Sequence, residues 1–153
     1  MPKIDLSALP VRTSSSYPAP FDTVTQGRST VALGDPYGIT QFGVNLVQLA
    51  PGAMSSLRHW NERQDEFLMV TDGTLTLVDD DGAHVLEVGA CCAFAAGDAN
   101  GHHIVNRSDA PGAFLVIGTR TDSETGHYSD VDLKVRAQAG NFAFTRRDGT
   151  PLP

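Results

Sequence analysis

Cysteine is scarce in this chain, which has only Cys91 and Cys92. Adjacent cysteines are poorly placed to cross-link a fold, and they lack the spacing of a zinc site. We therefore expect both residues to be free thiols in a reducing compartment, which favours a cytoplasmic protein over a secreted one.

Basic residues and long apolar runs are also in short supply. Eleven Lys and Arg stand against eighteen Asp and Glu, which gives a formal net charge of −7 at pH 7. This balance disfavours non-specific binding to nucleic acid and attraction to anionic membranes, since both need a basic surface. The sequence has no apolar run long enough to span a membrane, and its first residues lack the order of a signal peptide. We expect a soluble protein with no nucleic-acid or membrane partner.

Segments with helical periodicity are missing, and short apolar strands take their place. Thr74–Val78 alternates with period two, and the polar turn Asp79–Gly82 reads as the end of a hairpin rather than as a calcium loop. The run Ala113–Gly118 is almost continuously apolar, as expected for a buried central strand. At 153 residues the chain forms one domain. Together these features predict an all-β barrel or sandwich.

The two ends of the chain differ from its middle. Residues 1–28 are rich in Pro and Ser and have no period, so they read either as a disordered tail or as an arm that lies on a neighbouring subunit. We favour the arm. Residues 29–122 hold the strands of the barrel, and residues 123–153 form a C-terminal extension that packs on it. In that extension we expect one short helical turn after Ser129 or Asp130.

A cluster of polar residues is predicted where three strand-like segments meet. His59 and Asn61 are two apart on one strand and point to the same face, and Glu66 opens the next strand. His102 begins a later strand. Two imidazoles and one carboxylate suit a divalent first-row ion, and Asn61 could add a weaker oxygen ligand. The alternative is that these side chains are hydrogen-bonded polar residues that line a cavity.

Two motifs in the right order resemble those of the cupin superfamily. The first is Pro-Gly followed by His-x-Asn-x4-Glu-x6-Gly, which occupies residues 51–73. The second is Gly-x5-Ala-x-Gly followed by His-x3-Asn, which occupies residues 89–106. The resemblance implies a single cupin barrel, also called a double-stranded β-helix or jelly roll, with an N-terminal arm and a short C-terminal extension.

A closer resemblance covers nearly the whole chain. The segments GVNLVQLAPG, RHWNERQDEF and AAGDANGHHIVNRSD, with the ending RDGTP, are similar to a group of small bacterial cupins, some of them labelled sugar-phosphate isomerases. This resemblance implies a divalent metal ion at the barrel centre, held by His59, Glu66 and His102, and a small-molecule ligand beside it. The ion could be zinc, nickel, manganese or iron. It also implies a homodimer that exchanges N-terminal strands, a role that residues 1–28 would suit.

Three departures from the cupin motifs affect this interpretation. Asn61 stands where cupins usually have a second histidine, and Ala95 stands where proline is common. The loop from Gly97 to His102 is also longer than usual, which makes His103 an alternative ligand. We favour His102 because its spacing to the asparagine of the motif is the usual one.

Three functions remain open from the sequence. The first is a metal-dependent enzyme that acts on a small polar or phosphorylated molecule, such as an isomerase. The second is a metal-poor binding protein in which Asn61 marks the loss of catalysis, and the third is a cupin dioxygenase. A sugar-phosphate isomerase would need a cationic phosphate clamp, for which Arg63, Arg107 and Arg120 are the visible candidates.

Overall fold

The structure is a computed structural model that describes residues 3–153. Within these residues the chain forms twelve β-strands and two short 3-10 helices, Leu6–Ala8 and Asp35–Tyr37, with no α-helix. The predicted all-β class is therefore confirmed. The strands are β1 (Arg28–Ala32), β2 (Phe42–Leu49), β3 (His59–Asn61), β4 (Glu66–Asp72), β5 (Leu75–Asp79), β6 (Gly82–Leu86), β7 (Cys91–Phe94), β8 (His103–Val105), β9 (Gly112–Thr119), β10 (Ser123–Tyr128), β11 (Lys134–Gln138) and β12 (Asn141–Thr145).

The largest sheet has five antiparallel strands in the order β1-β2-β9-β4-β7. Its longest pairing joins β2 to β9, from Phe42 opposite Thr119 to Leu49 opposite Gly112. Strand β4 lies on the other side of β9 and begins with Glu66 opposite Gly118. Because β9 has a paired strand on both sides, it is the buried central strand that its apolar sequence predicts.

Two smaller sheets complete the barrel. One has three strands in the order β6-β5-β8, and the other has four in the order β12-β11-β10-β3. Strand β3 is short and contains both His59 and Asn61. The three sheets therefore bring β3, the start of β4 and the start of β8 to one end of the fold, although these segments are far apart in sequence.

The apolar core lies between the five-stranded sheet and the three-stranded sheet. Leu49 and Leu68 come from the larger sheet, and Leu75 and Ile104 come from the smaller one. Each of these four side chains is at most 1% exposed. Burying a side chain of this size stabilises a fold by roughly 1.5–3 kcal/mol. These side chains therefore hold the two sheets together.

The N-terminal arm packs against the barrel in two places. Arg12 and Thr30 form a two-way backbone bridge, with both N–H···O distances 2.9 Å. Further along, the ring of Tyr17 lies 5.7 Å from that of Tyr128, and its hydroxyl accepts a hydrogen bond from Leu57 N–H. The arm is therefore ordered on barrel strands. Its exchange between two subunits stays a prediction.

The C-terminal extension is part of the sheet structure rather than a separate layer. Strand β10 pairs with β3 on one side and with β11 on the other. The expected helical turn after Ser129 or Asp130 is not there, and residues 129–133 form a bend that joins β10 to β11. Gly126 pairs directly with Asn61. Residues 123–128 thus form one wall beside the polar cluster. No helix in residues 3–153 is long and apolar enough to cross a membrane.

Candidate metal centre

His59, Glu66 and His102 come together at one end of the barrel. Their donor atoms, two ring nitrogens and one carboxylate oxygen, all lie within 4.8 Å of one another. The first two residues open β3 and β4, and His102 directly precedes β8. The three segments predicted to meet therefore do meet, and we refer to these three side chains as the His-Glu-His cluster.

The backbone holds the two histidines side by side. His59 N–H donates to the carbonyl of His102 at 3.2 Å, and His102 N–H donates to the carbonyl of His59 at 3.0 Å. The two ring centroids are 5.3 Å apart. Because main-chain hydrogen bonds set this spacing, it does not depend on any attraction between the side chains themselves.

Gly101, the residue before His102, helps to explain why the backbone bridge between His59 and His102 can form. A Cβ atom at Gly101 would collide with the hydroxyl of Ser129. The Gly101 carbonyl also accepts a hydrogen bond of 3.1 Å from Arg58, whose guanidinium forms ion pairs with Asp80 and Asp130. Glycine therefore lets the chain pass close to Ser129, in the loop after β10, without moving that side chain.

A backbone carbonyl orients the imidazole of His59. Its Nδ1 lies 2.9 Å from the carbonyl oxygen of Leu57, so Nδ1 is the nitrogen that donates a proton. The other nitrogen, Nε2, then keeps its lone pair free for a ligand. Burial lowers the pKa of His59, the charge of Glu66 acts in the opposite direction, and the net shift is downward. The ring is therefore neutral near pH 7, in the form that can bind a metal ion.

Glu66 and His102 are in direct contact. The Nε2 atom of His102 lies 3.1 Å from Oε1 of Glu66. Burial alone would raise the pKa of Glu66, but the hydrogen bond from His102 and the nearby imidazoles lower it further than burial raises it. Glu66 is therefore a carboxylate near neutral pH, and the cluster offers a negatively charged oxygen.

The ring of His102 is buried beneath Phe94. The two rings stack with centroids 3.4 Å apart and an angle of 2° between their planes, and His102 is 4% exposed. Its Nδ1 atom is buried without a hydrogen-bond partner among residues 3–153. Buried polar atoms without partners are uncommon in folded proteins and often mark the place of a bound ion or water. This observation and the donor set fit a divalent metal ion.

His102, not His103, belongs to the cluster. The ring of His103 points away and its Nδ1 lies 2.7 Å from the carbonyl oxygen of Ser56. The two-residue insertion before His102 is thus absorbed in the loop and does not shift the strand that follows.

Asn61 lies on the same strand as His59 and lines cavities that Glu66 also lines. Its Oδ1 would be 3.6 Å from a Cβ atom built on Gly126, so its amide lies beside the opposite strand. The role of this amide as a metal ligand stays a prediction.

Two cavities flank the cluster, and both are lined by Glu66 and His102. The first, which we call the loop cavity, has a volume of about 230 Å³ and is also lined by Asn61 and Asp98. The second, which we call the arm cavity, has a volume of about 200 Å³ and is also lined by His59. A ligand in either cavity would lie against the cluster.

The lining of the arm cavity includes residues that the sequence did not reveal. Arg12 comes from the N-terminal arm and Arg28 from the first residue of β1. The arginines that the sequence suggested as a phosphate clamp do not line the arm cavity. Arg63 donates to Ser123 Oγ at 2.7 Å. Arg120 pairs with Asp35 at 2.6 Å and lines a third cavity together with Asn61 and Glu66. Arg107 is exposed.

Comparison with known proteins agrees with this architecture. Residues 45–118 match the family described as Cupin domain. A solved structure from Silicibacter pomeroyi, described as a sugar phosphate isomerase from a cupin superfamily, is 56% identical in sequence. The match covers 99% of this chain and 97% of that one, with a TM-score of 0.97.

More distant structures share the fold alone. A protein from Acidithiobacillus ferrooxidans, named provisionally as a sugar phosphate isomerase, is 24% identical, with 82% of this chain and 81% of that chain covered and a TM-score of 0.72. The polyketide cyclase RemF from Streptomyces resistomycificus is 16% identical. The match covers 78% of this chain and 79% of that chain, with a TM-score of 0.65. None of the curated proteins matches this chain. The near-complete match to the Silicibacter pomeroyi protein, together with the barrel and its two motifs, shows that this chain belongs to the cupin superfamily.

Proposed function

We propose that His59, Glu66 and His102 bind a divalent metal ion and that the protein is a metal-dependent enzyme. Its substrate would be a small polar molecule that enters a cavity beside the His-Glu-His cluster. The observation that carries this proposal is the meeting of three donor atoms from three separate segments within 4.8 Å.

The residues of the cluster are prepared for this role by their surroundings. A bound divalent ion would supply Lewis acidity that polarises a carbonyl or hydroxyl oxygen of the substrate. The carbonyl of Leu57 keeps His59 in the tautomer that leaves Nε2 free. Phe94 covers one face of His102 and excludes water from it, while Glu66 remains ionised. Low water content strengthens electrostatic interactions at the centre.

Isomerisation of a sugar phosphate is the reaction class that we favour. The relative with 56% identity is described by that activity, and the match covers 99% of this chain. Such an isomerisation moves a proton between two adjacent carbon atoms while a carbonyl and a hydroxyl group exchange places. The ligand must therefore be held with both oxygens near the cluster, and each flanking cavity is small enough to restrict it.

A metal-poor binding protein is the second candidate, and Asn61 is the observation that favours it. A neutral amide is a weaker ligand than the imidazole that cupins usually have at this position, so metal affinity would be lower. In that case the cavities would bind the same small polar molecules without turning them over.

Metal analysis combined with an activity assay tests the proposal. The protein is purified with added zinc, nickel, manganese or iron, and its metal content is measured beside that of the variants His102→Ala and His84→Ala. His84 is a matched control because it is an exposed histidine that is not part of the His-Glu-His cluster. We expect close to one ion per chain in the wild type and in His84→Ala, and a loss of at least about 100-fold in affinity in His102→Ala.

The assay then separates the two functions. Interconversion of aldose and ketose phosphates is followed by nuclear magnetic resonance before and after removal of the metal with a chelator. Activity that is lost with the metal and restored by its addition supports the enzyme. A wild type that binds no ion under any of these conditions contradicts the metal proposal, and a metal-loaded protein without activity favours a binding function.

A further inference from the structure

The arm cavity contains two arginines that the proposed metal chemistry does not use. Arg12 reaches it from the N-terminal arm and Arg28 from the start of β1. The same cavity is also lined by His59, Glu66 and His102. A ligand in this cavity can therefore contact both the two arginines and the His-Glu-His cluster.

Neither arginine is neutralised by the protein. Among residues 3–153, the ion pairs of this structure involve other cations, and no carboxylate lies within ion-pair distance of Arg12 or Arg28. Arg28 donates to two backbone carbonyls, those of Ser55 at 2.7 Å and Ser14 at 3.3 Å. These contacts aim its guanidinium but leave its charge uncompensated. In a chain with a net charge of −7, two unpaired arginines that line one cavity call for an explanation.

The two guanidinium groups are close enough to affect each other. Burial lowers the pKa of Arg28, the nearby Tyr17 acts in the opposite direction, and the positive charge of Arg12 lowers the pKa further. A bound anion would relieve both the mutual repulsion and the cost of burial. Guanidinium groups offer planar, paired donors that match the oxygens of a phosphate group.

The rest of the lining is uncharged and mixes polar groups with the apolar side chains of Val47, Leu68, Ile104, Phe114 and Val116. The polar part can form hydrogen bonds with a ligand. It includes the hydroxyl groups of Thr30 and Ser56 and the amide of Asn45. These groups match the hydroxyls of a small polyhydroxy compound. The volume of about 200 Å³ is roughly that of seven water molecules at ~30 Å³ each, so the ligand must be small.

We propose that Arg12 and Arg28 form a binding site for the phosphate group of a small phosphorylated ligand. The hydroxylated end of this ligand lies against the His-Glu-His cluster. The reaction that follows rests on the proposed function, but the phosphate site itself does not need a metal ion. The N-terminal arm is then part of the ligand site, because it supplies one of the two cations.

Calorimetric titration of the full-length protein tests this site. Three probes share a three-carbon skeleton: glycerol 3-phosphate, glycerate and glycerol. Inorganic phosphate serves as a fourth probe. The variants are Arg12→Gln and Arg28→Gln, and Arg107→Gln is the matched control because Arg107 is exposed and was not found to line the arm cavity.

We expect glycerol 3-phosphate to bind at least tenfold more tightly than glycerate, and we expect no binding of glycerol. Arg12→Gln and Arg28→Gln should each weaken binding of glycerol 3-phosphate and of inorganic phosphate by about tenfold or more, because each removes charged hydrogen bonds to the phosphate. Arg107→Gln should bind like the wild type. Binding of the wild type should also weaken as salt is added.

Arg12→Gln is the decisive variant, since the bridge from Arg12 to Thr30 is made by the backbone and does not need the side chain. Equal affinity of Arg12→Gln and Arg107→Gln for glycerol 3-phosphate would overturn the proposal. Equal affinity of the wild type for glycerol 3-phosphate and glycerate would overturn the assignment to phosphate.

Metal analysis distinguishes a failure of the proposed phosphate site from a failure of the proposed metal site. Protein treated with a chelator should still bind inorganic phosphate, and Arg12→Gln should still bind metal like the wild type. Failure of the metal site would therefore leave phosphate binding intact, and failure of the phosphate site would leave metal binding intact.

Discussion

The barrel and the N-terminal arm both reach the arm cavity, but they are held in place by different interactions. The barrel positions its donors through strand pairing across long stretches of sequence, as in the continuous pairing of β2 with β9. Glu66 belongs to the same sheet, and His59 is tied to His102 by two backbone hydrogen bonds. The arm is attached by one bridge at Arg12, by the hydrogen bond from Arg28 to the carbonyl of Ser14 and by the contacts of Tyr17.

This difference indicates which substitutions should leave the geometry of the His-Glu-His cluster unchanged. Main-chain pairing fixes the His-Glu-His cluster, so changes in side chains elsewhere should leave its geometry intact. The arm depends on a few contacts, so its contribution can be altered by single substitutions. We infer that the barrel provides the chemistry and that the arm contributes to the selection of the ligand, as loops on rigid scaffolds commonly do.

The largest expected effect is a change of oligomeric state when the N-terminal arm is removed. We propose that the protein is a homodimer, because Phe42 and Phe67 leave apolar surface exposed on the five-stranded sheet, at 40% and 42%. Light scattering of the full chain should give about twice the chain mass of 16.3 kDa. A version without residues 1–28 should be mainly monomeric if the arm is exchanged between subunits. A monomeric full-length protein would reject the dimer.

Within the barrel, the strongest effect on stability is expected at Gly101. A Cβ atom at this position would collide with the hydroxyl of Ser129 and crowd its Cβ atom, so Gly101→Ala must shift the Ser129 side chain or the backbone beside it. We expect the free energy of unfolding to fall by about 1–3 kcal/mol, measured by urea denaturation.

Gly118→Ala is the matched control, since its Cβ atom would meet only ordinary contacts, the nearest at 3.5 Å from the carbonyl oxygen of Asp65. If Gly101→Ala were as stable as Gly118→Ala, the close passage of the chain at Gly101 would not be a constraint on the cluster.

A smaller effect should follow from restoring the histidine that cupins usually have in the first motif. Asn61→His replaces an amide by an imidazole at a position that pairs with Gly126 on the neighbouring strand. We expect metal affinity to increase by about tenfold, measured by calorimetric titration. The exposed Asn141→His provides a control for the added histidine. Unchanged affinity in Asn61→His would mean that residue 61 does not face the cluster.

The smallest effect is the dependence of stability on pH in metal-free protein. Burial lowers the pKa of His59 below its usual 6.5, and it lowers the pKa of His103 as well. As the pH falls below about 6.5, the unfolded chain binds protons that the folded chain resists, so stability is lost. The slope is at most about 1.4 kcal/mol per pH unit for each histidine.

Urea denaturation between pH 7 and pH 5 measures this slope. The variant His59→Gln should retain only the part that comes from His103, because glutamine does not titrate. The lowered pKa of Glu66 acts in the same direction but nearer to pH 4, outside this window. An equal slope in the wild type and in His59→Gln would show that His59 is not a buried neutral imidazole.

The sequence predicted the barrel part of the site well because local signals and long-range structure agree there. The spacing from His59 to Glu66 fits a strand, a turn and a strand, and the structure has β3 and β4 at these positions. The spacing between His102 and Asn106 singled out the histidine of the adjacent pair that lies beside Glu66 in the structure, and its role as a ligand stays a prediction. Asn106 is fully buried and its amide donates to the carbonyls of Leu49 and Ala110, so it anchors the segment that follows the cluster.

The parts of the site that were not predicted depend on contacts that produce no periodic pattern in the sequence. Strand β10 contains Gly126 and charged neighbours, and its register with β3 is set by pairing rather than by apolar alternation. Arg12 lies in a segment without periodicity, so its place in the lining of the arm cavity is visible only in the structure. Nothing in the sequence pattern indicates that the ring of Phe94 covers His102.

The most direct test of the central claim is an anomalous diffraction measurement on crystals grown with manganese or zinc. We predict one strong anomalous peak per chain, within ligating distance of His59, Glu66 and His102 together. A map without a peak at this position, or with a peak only at another site such as the exposed turn at residues 80–82, would contradict the account.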